Sequence, residues 1–526
     1  MNNLLDRIIT KWLIFTFIVI IILSLPFFFA RGIGVMDDTN FLIIAKWIKY
    51  GFKPYNDLAE LKPPAIYYTL YILDKFFGEA WWVSRVFILL VDVLFALLFV
   101  FFLNKRYGDI IAWFSGINLY LALMLFGGYR IHTETFCALL GMIGLFLIIN
   151  KKNHSKYNLL FGIIIGFASL YKQPAVFYLI AYILFLLILR EDIKKTIINI
   201  FFVLLGFSFV WLVTILLLYK YSMLKNFIKY VIILPFMYPP DPKHIYGLKL
   251  LFLRTPLPLI VLFLIFLILK KRKINYDFSK FELLLFLVII FSYIPILKRP
   301  SPHYYICLLF ALIILCIKLW VNLIYPYLDK YRFKSYLLFK YILLIIPSLH
   351  LIGGLIYGSI FFIRENRLKY DCLLVNSLGR IVNTYTSENE PILCFSHCYT
   401  GSRFYYILER RPLYPYSCMT FMPQETKKKL EELIEVIKYG KVSLVIMEDL
   451  IEENGFTVIP KEQFIKALSE KYKKVDFPFD KDYSRNRKID IYILKGLKPR
   501  EISRYKSNIF PTPCFSNNYI YHNCNN

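Results

Sequence analysis

Apolar runs of membrane-spanning length alternate with short polar linkers along most of the chain. The first, Trp12–Ala30, reads WLIFTFIVIIILSLPFFFA. Runs of about 18 or more such residues with few charges predict transmembrane helices. Further spans are expected at Val83–Leu103, Ile110–Phe126, Thr133–Asn150, Tyr157–Tyr171, Pro174–Leu189 and Thr196–Tyr219. Four more fall at Thr255–Leu269, Phe281–Leu297, Tyr304–Ile324 and Tyr336–Ile363, for about eleven in all. The N-terminal MNNLLDRIITK is short and basic, and the run after it has no A-x-A cleavage site, so it reads as an uncleaved first helix.

After residue 363 the pattern changes. PILCFS, VSLVIME and IDIYIL are short β-rich runs, separated by helical patterns such as QETKKKLEELIEVIKYG. Alternating strands and helices predict a small α/β domain over residues 364–497, and the end from Lys498 to Asn526 lacks periodicity and reads as a loose tail. The fold class expected is thus a polytopic α-helical membrane protein with a small C-terminal extracytoplasmic α/β domain.

Composition agrees with that pattern: 58% of the 526 residues are hydrophobic and 19% charged, where ordinary domains carry about a quarter charged. A formal net charge of +27 would suit nucleic acid, but its distribution excludes that partner. The cations cluster in linkers: Lys105–Arg106, Lys151–Lys152, Arg190 with Lys194–Lys195, Lys270–Lys273 and Lys330–Lys340. Under the positive-inside rule these linkers are cytoplasmic. The alternate linkers, Arg31–Trp82, Gly127–His132, Lys172–Gln173, Lys220–Arg254 and Lys298–His303, then face outward, as does everything after 363.

The nine cysteines show no regular ligand spacing. Cys394, His397 and Cys398 sit in a strand-like run and its exit, and read as small core residues rather than metal ligands. A disulfide among the C-terminal cysteines stays open.

The first outward loop carries the candidate chemistry. GIGVMDDTNF places Asp37 and Asp38 just beyond the first span. Phe41, Ile44, Ala45 and Ile48 then recur at helical spacing, which predicts a short amphipathic helix lying in the membrane interface. In KPYNDLAELKPPAIYY, Pro63–Pro64 hold Lys62 extended. The loop thereby gathers Asp37, Asp38, Tyr55, Asp57, Glu60 and Lys62 near the membrane surface. Paired acids serve as a general base or hold a divalent cation, and a lysine binds phosphate as a point charge. The plainer readings are a helix cap for Asp38 and a snorkelling lysine for Lys62. A polyprenyl-phosphate sugar, tail in the bilayer and head among these groups, fits such a site.

This order of motifs resembles the GT-C glycosyltransferases, in the branch of protein O-mannosyltransferases and the aminoarabinose transferase of lipid A. The resemblance rests on the acidic pair, GFKPYND (Gly51–Asp57) and KPP (Lys62–Pro64). It continues through HTETF, LYKQPA, RPSPHYY and RFYYILERRPLYPY. It implies inverting transfer of a sugar from a polyprenyl phosphate to a lipid, glycan or protein acceptor, on the outer face of the cytoplasmic membrane. By resemblance Asp37 matches the acid that acts as base or acceptor ligand, while Asp38 stands where many relatives have Glu. Lys62 matches a phosphate-binding lysine, Arg299 and His303 further phosphate or acceptor contacts, and Glu134 and Lys172 face the same side. No cofactor is assigned, and a divalent metal at Asp37 and Glu134 stays open, since only some branches use one. The alternative is a multi-pass transporter or flippase, for which the mid-span acid Asp92 speaks and the lack of inverted repeats does not.

Overall fold

The computed structural model describes residues 2–29, 37–56, 60–149, 155–189, 192–237, 280–298, 301–319, 351–361, 363, 377–388, 390–395, 404–405, 408–410, 432–448, 461–475 and 489–500. The long helices are α1 (Asn2–Phe29), α4 (Trp81–Tyr107), α5 (Asp109–Phe126), α6 (Thr133–Ile149), α7 (Ser155–Tyr171), α8 (Val176–Ile188) and α9 (Ile193–Lys220). They are followed by α10 (Lys280–Lys298), α11 (Ile306–Leu319) and the apolar α12 (Leu351–Phe361). Among the described residues, five helices are long and apolar enough to cross a membrane, at Asp6–Phe29, Trp81–Tyr107, Asp109–Phe126, Ile193–Lys220 and Lys280–Leu297. Each expected span within the described residues is a helix, and the chain is a multi-pass membrane protein. The expected span Thr255–Leu269 lies outside the described residues, as does most of Tyr336–Ile363.

Helix ends follow local chemistry. The Asp192 carboxylate accepts from the Lys194 amide at 2.8 Å and caps α9. Gly127 ends α5 at φ +96°, a left-handed conformation that side chains resist, and a Cβ there would also press on the His132 ring at 3.4 Å.

In the bundle, α4 packs on α5, α5 on α1, α6 on α7, and α7 on α9, while α11 sits against α5, α6 and α10. Helices gain little from hydrophobic exclusion against lipid, so close approach and van der Waals contact carry the packing. The α7–α9 crossing shows this: a Cβ on Gly162 would stand 2.1 Å from the Val203 carbonyl oxygen, and one on Gly206 2.2 Å from that of Leu159.

The first loop folds into α2 (Asp37–Lys49) and α3 (Ala65–Phe77). An interfacial α2 is not what forms. Phe41, Ile44 and Ala45 are buried as expected, but so are Leu42, Ile43 and Trp47 on the other side. Even Lys46 is buried, with its ammonium 3.0 Å from Glu79. The reason is tertiary: α3 packs along α2, and Tyr405 closes over Trp47 with ring centroids 5.7 Å apart. Of the two loop helices, α3 is the one with an exposed apolar side, through Ile72, Phe76 and Phe77.

The C-terminal strands are β1 (Leu393–Phe395), β2 (Leu444–Glu448), β3 (Tyr472–Val475) and β4 (Ile489–Leu494) in the order β1-β2-β4-β3. β1 and β2 are parallel, with Cys394 opposite Ile446, and the other pairs are antiparallel. Three of the strands were expected, and β3 was not. Leu444 and Ile446 point to the side packed by Phe404 and Tyr405. Val445 and Met447 point to the side covered by Leu433, Ile437 and Leu468. Cys394 is a buried free thiol, in keeping with a core role, while His397 and Cys398 lie outside the described residues.

Replacing Gly162 by Val should destabilise the protein by at least about 1–3 kcal/mol, because the obstacle is backbone. Thermal midpoints in detergent check this against Gly353→Ala, where a Cβ meets nothing within 4 Å.

Candidate functional site

Five segments separated in sequence meet at one end of the bundle: the start of α2, the KPP turn before α3, the HTE segment opening α6, the turn preceding α8 and the turn preceding α11. Asp38, in the first turn of α2, is buried. Its Oδ2 lies 2.9 Å from Arg85 Nη1 of α4, and its Oδ1 accepts from the Ile131 amide at 3.2 Å. Asp38 is therefore not the cap of α2. It ties that helix to α4 and to the segment just before His132. Asp37 is the first residue of α2, and its side chain lies outside the described residues, as do Asp57 and Arg299 entirely.

The KPP turn is fixed from three directions. Glu60 Oε1 accepts from the Leu61 and Lys62 amides at 2.7 and 3.3 Å, and Asn40 of α2 donates to its other oxygen. The buried Tyr55 donates to the Lys62 carbonyl at 2.8 Å, so it shapes the turn rather than lining a pocket. Gln173 donates to the Leu61 carbonyl at 3.1 Å and to that of Val231 at 3.0 Å. The two prolines before α3 donate no amide, which leaves the turn dependent on these side chains.

Glu134, buried in the first turn of α6, is the hub. Its Oε1 lies 2.5 Å from Lys172 Nζ and 3.7 Å from His303 Nε2, and its Oε2 accepts from the Thr133 hydroxyl at 3.0 Å. The Lys62 ammonium acts electrostatically on both Glu134 and His132. Burial disfavours the Lys172 ammonium, but the Glu134 carboxylate more than offsets this and raises its pKa. The Tyr304 ring faces the same ammonium 4.4 Å away. His303 stacks on His132 with centroids 4.4 Å apart and planes within 10°. Complete burial lowers the His132 pKa from 6.5 to about 4, so this imidazole is neutral at pH 7.

The structure thus brings together Lys62, Lys172, His303 and Glu134. Arg85, His132 and Gln173 were not among the expected site residues. An arginine inside the otherwise apolar VSRVFILL was a signal for the first. Asp92, in mid-helix, is buried with no hydrogen-bond partner for either carboxyl oxygen among the described residues.

Such a constellation, two lysines and an imidazole around one carboxylate, suits an anion, and a phosphate above all. Comparison with known proteins adds the following similarities. The dolichyl-phosphate-mannose-protein mannosyltransferase family matches residues 61–216, which include Lys62, Glu134 and Lys172. No curated protein sequence matches the chain. Among solved structures, ArnT from Cupriavidus metallidurans bound to undecaprenyl phosphate superposes with a TM-score of 0.64 at 12% identity, covering 94% of this chain and 100% of that one. The oligosaccharyltransferase AglB from Archaeoglobus fulgidus, in complex with an inhibitory peptide and a dolichol-phosphate, gives 0.52 at 12% identity over 93% and 76%. The fold is the one shared by these two solved structures.

Breaking the Asp38–Arg85 pair on one side, by Arg85→Met, should cost about 3–5 kcal/mol, and the double variant Arg85→Met/Asp38→Leu should cost less than the two single losses combined. Thermal midpoints of the three variants check this. His132 binds protons less readily folded than unfolded, so its contribution to stability is complete above pH 6.5 and is lost as pH falls toward about 4. His132→Gln should flatten the fall of the thermal midpoint across that window, whatever its midpoint at neutral pH.

Proposed function

We propose that this protein is a glycosyltransferase that moves a sugar from a polyprenyl-phosphate donor to a lipid, glycan or protein acceptor, with inversion at the anomeric carbon. The observation that carries this reading is the convergence of Lys62, Lys172 and His303 around Glu134, in a fold shared along its length with a protein that binds undecaprenyl phosphate. The reaction takes place on the outer face of the cytoplasmic membrane, with the C-terminal α/β domain, residues 364–497, on the same side as the site. The basic linkers support that orientation.

The chemistry follows from the charges. The acceptor hydroxyl attacks the anomeric carbon, the bond from that carbon to the phosphate oxygen breaks, and the polyprenyl phosphate departs with the electron pair. Phosphate is a weak base, so the leaving group needs positive charge beside it rather than a proton. Lys62 and Lys172 supply that charge, with His303, and Arg299 by its place in RPSPHYY, as further contacts. The acceptor's proton goes to Asp37, which stands at the start of α2. Asp38 is a positioning residue rather than a base, because Arg85 and the Ile131 amide hold its carboxylate. The transporter alternative rests on Asp92 and finds no second mid-helix acid paired with it among the described residues.

Purified protein should transfer radiolabelled sugar from a polyprenyl-phosphate donor. Asp37→Ala should lower kcat by about 10²–10⁴ with little change in donor KM. Lys62→Ala should raise donor KM by about tenfold or more. Full activity in Asp37→Ala removes that residue from the mechanism, and undiminished transfer by Lys62→Ala at limiting donor removes the phosphate role.

A further inference from the structure

His132, Glu134 and His303 each place a nitrogen or carboxylate oxygen within 4.8 Å of the others. Two imidazoles and a carboxylate are a donor set that zinc and its neighbours accept. The surroundings do not fit a divalent ion. Both Glu134 oxygens are engaged, Oε1 by Lys172 at 2.5 Å and Oε2 by Thr133 at 3.0 Å. An imidazole lone pair lies in the ring plane, and the two rings are stacked within 10° of parallel. Their lone pairs therefore run side by side instead of meeting at one point about 2.0–2.1 Å from each nitrogen. Charge weighs more. Among the described residues, one carboxylate faces the Lys172 ammonium and feels that of Lys62 as well. Unit charges about 4 Å apart interact by about 4 kcal/mol at an effective dielectric constant near 20, and a doubly charged ion beside an ammonium doubles that repulsion.

We propose that the Lys172 ammonium is the resident cation of this site, standing where a divalent metal would otherwise bind Glu134, and that it keeps such a metal out. The ammonium is fixed from two sides, by the Glu134 carboxylate and by the Tyr304 ring face at 4.4 Å. Its charge is then in place before a ligand arrives, and no ion has to be recruited. Sharing that charge with a donor phosphate rests on the function proposed above, but exclusion of the metal does not.

The experiment is therefore a metal-content measurement and needs no sugar donor. Tag-free protein in detergent is incubated with excess zinc or manganese, desalted, and assayed by mass spectrometry for metal. Wild type should retain below about a tenth of an equivalent, while Lys172→Ala should retain about one, because Glu134 is freed and the rings can turn toward a common point. Lys172→Ala/Glu134→Gln should return to background. Cobalt should show tetrahedral visible absorption in Lys172→Ala alone. Lys172→Met, closer in volume, repeats the test if the alanine variant fails to fold. A full equivalent in wild type that Glu134→Gln abolishes would overturn the proposal. So would a folded Lys172→Ala or Lys172→Met protein that stays metal-free, because the ammonium would then not be what keeps a metal out.

Discussion

The contact between Glu134 and Lys172 is the interaction on which the rest of the site depends. A carboxylate taken from water to a position 2% exposed is tolerated when its partner is close and its remaining lone pairs are occupied. Here Lys172 takes one oxygen and Thr133 the other, while His303 stands within ion-pairing distance of the first. Removing either charge would leave the other buried without its nearest counter-charge. The start of α6 and the turn before α8 are therefore coupled to one another, and through the Tyr304 ring to the turn before α11.

A second buried pair, Asp38–Arg85, does the same work for α2. It joins the first loop to α4, and the Ile131 amide extends the tie to the residue beside His132. The two pairs thus share the Ile131–Glu134 segment, which explains how four distant stretches of chain hold one geometry. A third restraint comes from the C-terminal sheet. Tyr405 accepts a hydrogen bond from the Cys394 amide of β1 at 2.8 Å and rests its ring on Trp47 of α2. Tyr405 thereby covers Trp47 of the helix that carries Asp38.

Much of the architecture was legible because a membrane imposes length and apolarity on each helix separately. Trp12–Ala30, Val83–Leu103 and Ile110–Phe126 announce themselves without reference to neighbours. Strands β1, β2 and β4 were legible as short β-rich runs, whereas β3, with the pattern YKKV, is set by its pairing to β4. The amphipathic reading of α2 failed for a related reason. Its spacing of Phe41, Ile44 and Ala45 describes one apolar side, and only α3 and Tyr405 bury the other.

The sequence by itself determined a multi-pass helical protein, a proline-held lysine at Lys62, and the chemical types that converge on the site. Those are local properties, carried by composition, spacing and the rigidity of Pro63–Pro64. Only the tertiary structure decided the partners: that Asp38 belongs to Arg85, that Glu134 belongs to Lys172, and that His132 lies neutral against His303. A charge in sequence is an unassigned valence. Which opposite charge neutralises it depends on residues 38 and 47 positions apart being brought together by the fold, and packing between helices leaves no periodic trace along either one.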